Sequence, residues 1–110
     1  MKLKLYVTPA GRSPVEEFLA ELPTEVRADI FDGFLRLEAG EILPMPLSRS
    51  LAGIHQGLHE LRFKDKGGQI RVIYYFKKGD AVYVVHAFRK KTQLMPGRER
   101  DLILKRLKEV

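Results

Sequence analysis

A chain of 110 residues has room for one domain with a single modest core, so any site must be built on one small surface. Its 45% hydrophobic and 31% charged residues exclude the polar class that stays disordered, and the absence of cysteine excludes disulfides, thiolate metal sites and a thiol nucleophile. The formal charge of +6 is unevenly spread: residues 1–57 carry 6 basic and 8 acidic side chains and residues 58–110 carry 14 and 6, so the second half either meets a polyanion or presents a solvated basic surface.

In chain order, residues 2–7 alternate, with Leu3, Leu5 and Val7 on one face and Lys2, Lys4 and Tyr6 on the other, which predicts a half-buried strand. This opening lacks the apolar core of a signal peptide, and no stretch is long and apolar enough to span a membrane, so a cytoplasmic protein with no membrane partner is expected. Pro9-Ala10-Gly11 ends the strand. Ser13-Pro14-Val15-Glu16 then reads as a capping box with proline at the first helical position, opening a short helix with Val15, Phe18, Leu19 and Leu22 as its stripe. Pro23 breaks that helix. Thr24 is placed to cap a second one, in which Val26, Ile30, Phe31, Phe34, Leu35 and also Leu37 repeat at helical spacing up to Gly40. Phe18, Phe31 and Phe34 read as core. Glu16, Glu17, Glu21, Glu25, Asp29 and Asp32 collect the acidic charge on the outer side of this helical pair, a side that should repel a polyanion.

Residues 41–57 contain Pro44, Pro46, Gly53 and Gly57 without periodicity, which predicts a loop. Strands rich in Val, Ile, Tyr and Phe follow at 58–64, 69–77 and 81–88, joined by Asp65-Lys66-Gly67-Gly68 and Lys78-Gly79-Asp80 as short turns, which predicts an antiparallel meander. Pro96 opens a last helix with Ile103, Leu107 and Val110 on one face and Leu102 at its border, opposite Arg98, Arg100, Lys105 and Lys108. The expected fold is a single α+β domain over residues 1–110, order β-α-α-β-β-β-α, with a helical hairpin packed on a small, mostly antiparallel sheet.

The segments Leu58-His59-Glu60-Leu61-Arg62, Lys66-Gly67-Gly68-Gln69-Ile70-Arg71-Val72-Ile73-Tyr74-Tyr75 and Val85-His86-Ala87-Phe88-Arg89-Lys90-Lys91-Thr92-Gln93 together resemble the RelE/ParE superfamily of toxin–antitoxin toxins, and most closely its phage-derived, HigB-like branch. The element order agrees along nearly the whole chain, so a RelE-like fold is implied. The resemblance further implies a ribosome-dependent endoribonuclease that cuts mRNA without a metal or other cofactor and is neutralised by a helix-turn-helix antitoxin. By the family's pattern, Arg71 and Lys91 match phosphate-facing basic positions and Arg62 a further one.

Such chemistry must orient a ribose 2′-OH, stabilise negative charge on phosphorus and move two protons. With residues 65–68 as the turn, Arg62 falls directly opposite Arg71 and Glu60 opposite Ile73. Like charges across strands are unfavourable unless an anion fits between them or an acid screens them, although each arginine alone also reads as a sheet-edge ion pair. Alanine at Arg71 or Lys91 is expected to remove toxicity without unfolding the chain. Some RelE members carry a tyrosine in the last segment, whereas none follows Tyr83 here, which moves proton-transfer weight to Lys90, Lys91 and His86. Glu60 is either a base near Arg62 or an ion-pair partner. His86, on the alternation face of Val82, Val84 and Phe88, is either an acid–base group or a satisfied buried histidine. Lys64, Lys66, Arg89, Lys90 and Gln93 are expected to hold RNA backbone. Of Tyr74 and Tyr75, on opposite faces, one stacks on a base at most; His55 and His59 receive no role. Two other functions fit the same fold or charge: a ParE-like inhibitor that binds DNA gyrase, and a non-enzymatic nucleic-acid-binding module.

Overall fold

Leu3 and Leu5 alternate with Lys2 and Lys4 in β1 (Lys2–Leu5), which ends before Val7 and leaves that residue exposed. The computed structural model describes every residue except 78–80 and 92–93, so the turn expected at Lys78-Gly79-Asp80 lies outside the described residues. The remaining elements are α1 (Pro14–Ala20), α2 (Thr24–Glu38), β2 (Ser48–Ser50), β3 (Leu58–Asp65), β4 (Gly68–Phe76), β5 (Ala81–Lys90) and α3 (Gly97–Leu107). The class is α+β. One five-stranded sheet runs in the order β1-β5-β4-β3-β2, antiparallel throughout except that β1 lies parallel to β5.

Both faces of the sheet are covered. On one, Val15 and Leu19 of α1, Leu22, and Val26, Ile30, Phe34 and Leu37 of α2 pack on Leu61, Ile70, Val72, Tyr74, Val82 and Val84. On the other, Ile103 and Leu107 of α3 pack on Leu58, Ile73, Val85 and Phe88. Arg98, Arg100, Lys105 and Lys108 face water, as the helical spacing requires.

Five expectations need correction. The loop expected over 41–57 contains β2, a short edge strand paired with β3 through Ser48↔Leu61, Arg49↔Glu60 and Ser50↔His59. Its polar Ser-Arg-Ser sequence carries no hydrophobic alternation, the usual signal of a strand. Ser13 occupies the N-cap of α1 with Pro14 next to it, but its hydroxyl makes no cap bond and has no partner. Pro23, not Thr24, is the N-cap of α2. Within α2 the buried stripe is Val26, Ile30, Gly33, Phe34 and Leu37, while Phe31 and Leu35 are 47% and 64% exposed. Finally, β5 carries a bulge: Tyr74 pairs with Val84 and Ile73 with His86, leaving Val85 as the extra residue. The bulge switches faces mid-strand, so Val82 and Val84 join the core under α1 and α2, while His86 and Phe88 turn toward α3.

Candidate functional site

The register of the meander decides which cations meet. Arg62 and Arg71 sit directly opposite on β3 and β4, Glu60 lies opposite Ile73, and Lys90 of β5 lies opposite Gln69. Asp65 pairs with Gly68, so the connecting loop is only Lys66-Gly67, and Gly68 takes a positive φ of 120° that suits glycine. Asp65 alternates to the face away from α3, whereas the side chains of Glu60, Arg62, Gln69, Arg71, Ile73 and Lys90 point to the face that α3 covers. Because α3 packs only on the apolar end of that face, the polar end stays open. There Arg49, Arg62, Gln69, Arg71, Lys90 and Lys91, with Gly67 and Gly68, line a hollow of about 740 Å³. Five of those lining side chains are cationic and none is acidic.

The hollow is electrostatically strained. Arg71 is only 3% exposed and donates to the Ile70 carbonyl and to Gln69 Oε1. Its Nε lies 3.7 Å from Oε1 of the equally buried Glu60, too far for a hydrogen bond. The Nε atoms of both Arg62 and Arg71 are buried without a hydrogen-bond partner. Burial lowers the pKa of Arg71, with Glu60 opposing and Arg62 assisting. It also lowers the pKa of Lys90, where Glu60 opposes and Arg71, Arg62 and Arg49 assist. Desolvated like charges with unfilled donors are what an anion would neutralise.

A model of the family described as "Phage derived protein Gp49-like (DUF891)" matches residues 17–108. The chain belongs to this family. Comparison with curated proteins returns no match. Membership in the Gp49-like family is consistent with a toxin of a toxin–antitoxin pair.

Not all the site residues expected from this Gp49-like sequence reach the hollow. Lys90 and Lys91 join Arg62 and Arg71 there, while Gln93 lies outside the described residues. Arg89 alternates to the opposite face and grips Asp65 through two hydrogen bonds of 2.6 and 2.9 Å. With Lys64, Lys66, Glu25 and Asp29 it lines a separate cavity of about 450 Å³ against α2, where acids balance the cations. His86 is buried beneath α3 beside Phe88, with which it stacks at 5.1 Å. Its Nε2 lies 2.9 Å from Glu99 Oε1, and Nδ1 lies 3.1 Å from Arg106 Nη1. A guanidinium only donates, so Nδ1 accepts and the ring proton sits on Nε2, facing Glu99. Burial lowers the pKa of His86, Glu99 opposes and Arg106 assists. Tyr74 is core, bonded to Ser48 at 2.6 Å, and His59 stacks on it. Tyr75 is half-buried against His55.

Two residues were missed. Arg49 enters the hollow from β2, and only recognition of that edge strand would have revealed it. Arg106 is buried among the cationic positions of α3, donating to the Val85 carbonyl at 2.8 Å and covering the Tyr6 ring at 4.9 Å. It stands three residues after Ile103, which was a signal for burial. Among the described residues, no group of three or more His, Cys, Asp or Glu could hold a metal, and no helix is long and apolar enough to cross a membrane.

Proposed function

We propose that this protein is the toxin of a type II toxin–antitoxin pair of the HigB-like kind, a ribosome-dependent endoribonuclease that cuts mRNA in the cytoplasm and is held in check by a helix-turn-helix antitoxin. The observation that carries this reading is the hollow itself, where Arg49, Arg62, Arg71, Lys90 and Lys91 converge with no acid among its lining residues. A cluster of side-chain cations can take up the charge that grows on phosphorus in the transition state, the task that other nucleases give to a metal.

In the proposed reaction the ribose 2′-oxygen bonds to the adjacent phosphorus and the bond to the 5′-oxygen breaks, leaving a 2′,3′-cyclic phosphate and a 5′-hydroxyl. Arg62 and Arg71 hold the phosphoryl oxygens. Lys90 takes the 2′-OH proton, a role favoured by the burial and neighbouring cations that weaken its ammonium. Lys91, exposed at the rim, steadies the phosphate and supplies a proton to the leaving 5′-oxygen. His86 is engaged on both ring nitrogens, which supports a positioning role under α3 in place of the acid–base role considered from sequence.

Primer-extension mapping of transcripts after induced expression tests the proposal. Cuts inside translated codons are expected, and they should vanish with Lys91→Ala. Intact transcripts accompanied by altered DNA supercoiling would replace the nuclease with the gyrase-binding reading, and growth arrest with neither would point to a binding module.

A further inference from the structure

A second cavity opens onto the cationic hollow. It measures about 490 Å³, and Arg62, Gln69 and Arg71 line both spaces. Its remaining lining is Pro46, Leu47, Phe63 and Lys64, of which the first three form an apolar shelf beside the charged end of the sheet. Pro46 is exposed, and Leu47 and Phe63 are half-buried. The shelf has a backbone cause. The Leu47 carbonyl accepts the Arg62 N–H at 2.8 Å, continuing the β2–β3 ladder by one bond and fixing Leu47 next to Arg62.

Gln69 stands where the two spaces join. Its Oε1 accepts a hydrogen bond from the Arg71 guanidinium. Because a guanidinium has no acceptor, the amide is oriented with its oxygen inward and its two N–H donors directed elsewhere. An apolar slot beside an oriented amide, contiguous with unfilled cationic donors, matches one ligand chemistry: a flat heterocycle with acceptors on its edge, linked to a phosphate. Apolar faces stack on any base, and an amide N–H meets ring nitrogens or carbonyl oxygens.

We propose that the shelf of Pro46, Leu47 and Phe63 holds an unpaired nucleobase of the RNA strand whose phosphate occupies the hollow, with Gln69 donating to the base edge. This inference rests on reading the hollow as an RNA phosphate site and adds where the neighbouring base goes. The nucleotide is thereby gripped at two points, which fixes the sugar between them.

The test is fluorescence anisotropy of the full chain with two short labelled probes of equal length and charge, one an oligouridylate and the other an abasic ribose-phosphate oligomer. Wild type is expected to bind the oligouridylate about ten-fold more tightly, the scale of about one stacked base. Leu47→Ala should bring the oligouridylate to the abasic level and leave abasic binding unchanged. Equal, measurable binding of both probes by wild type removes the shelf and leaves the hollow standing. So does a Leu47→Ala variant that weakens both alike. Binding of neither probe sinks the hollow as an RNA site, and the shelf with it. Should Leu47→Ala fail to fold, the wild-type comparison alone still decides.

Discussion

Arg71 keeps a positive charge almost wholly out of water, opposite another arginine and 3.7 Å from the Glu60 carboxylate. Removing one member of a buried pair strands the other charge, which typically costs about 3–5 kcal/mol. Relief of the repulsion with Arg62 offsets part of that, so Arg71→Ala is expected to lower stability by about 3 kcal/mol in urea denaturation and to abolish toxicity. Adding Glu60→Gln should restore part of the stability and none of the toxicity. Lys91→Ala, at an exposed position, should abolish toxicity with an unchanged midpoint. Burial therefore makes alanine costlier to stability at Arg71 than at Lys91. An unchanged midpoint for Arg71→Ala would contradict the role given to its pairing. His86 supplies a pH test. Its folded pKa lies below the ordinary value, so the unfolded chain binds the proton more readily. The His86 contribution is fully present above pH of about 6.5 and declines as pH falls from there through the folded pKa. Denaturation midpoints measured from pH 7.5 to 5 should fall more for wild type than for His86→Gln.

At the scale of elements, alternation located β1, β3, β4 and β5, and the turn at Lys66-Gly67 set the register that places Arg62 opposite Arg71. Those features are local, and period two or a glycine pair betrays them. Three others depend on contacts distant in sequence. β2 is strand only because β3 offers it an edge. The Val85 bulge is invisible as alternation, since Val84, Val85 and His86 all suit a strand, and it alone decides that His86 meets α3. Phe31 and Leu35 fit a helical repeat but stay exposed, while Gly33 joins the expected Val26, Ile30, Phe34 and Leu37 on the buried face of α2. The burial of Arg106 was the least legible, because its partners, Tyr6 just past β1 and Val85 and His86 of β5, are distant in sequence from α3. Arg106→Leu deletes two hydrogen bonds and a cation–π contact that tie α3 to the sheet. It is expected to cost about 2–3 kcal/mol and to speed amide exchange in α3 more than in α2, measured by hydrogen–deuterium exchange.

Across the molecule, charge is segregated by the layers. The acidic side chains Glu16, Glu17, Glu21, Glu25, Asp29 and Asp32 are exposed on the helices that cover one face, and the cationic hollow opens on the other. The lopsided charge of the two halves of the sequence thus becomes a difference between two sides, which orients a polyanion toward the hollow. Arg89 shows the limit of that correspondence: it belongs to the basic half, yet alternation sends it to the acidic side and to Asp65. For single-stranded RNA, about four phosphate contacts give a slope near −3 for log affinity against log salt, and Arg49→Ala should make it shallower by about 0.7. A slope unchanged by that variant would remove Arg49 from the contact surface.

Cleavage of a defined mRNA on programmed ribosomes tests the account most directly, comparing wild type with a variant carrying Arg49→Ala, Lys90→Ala and Lys91→Ala. Fragments ending in 2′,3′-cyclic phosphate are predicted for wild type and should be absent for the variant, with both proteins shown to be folded by circular dichroism. Equal cleavage by the two would contradict the claim that these converging cations perform the reaction.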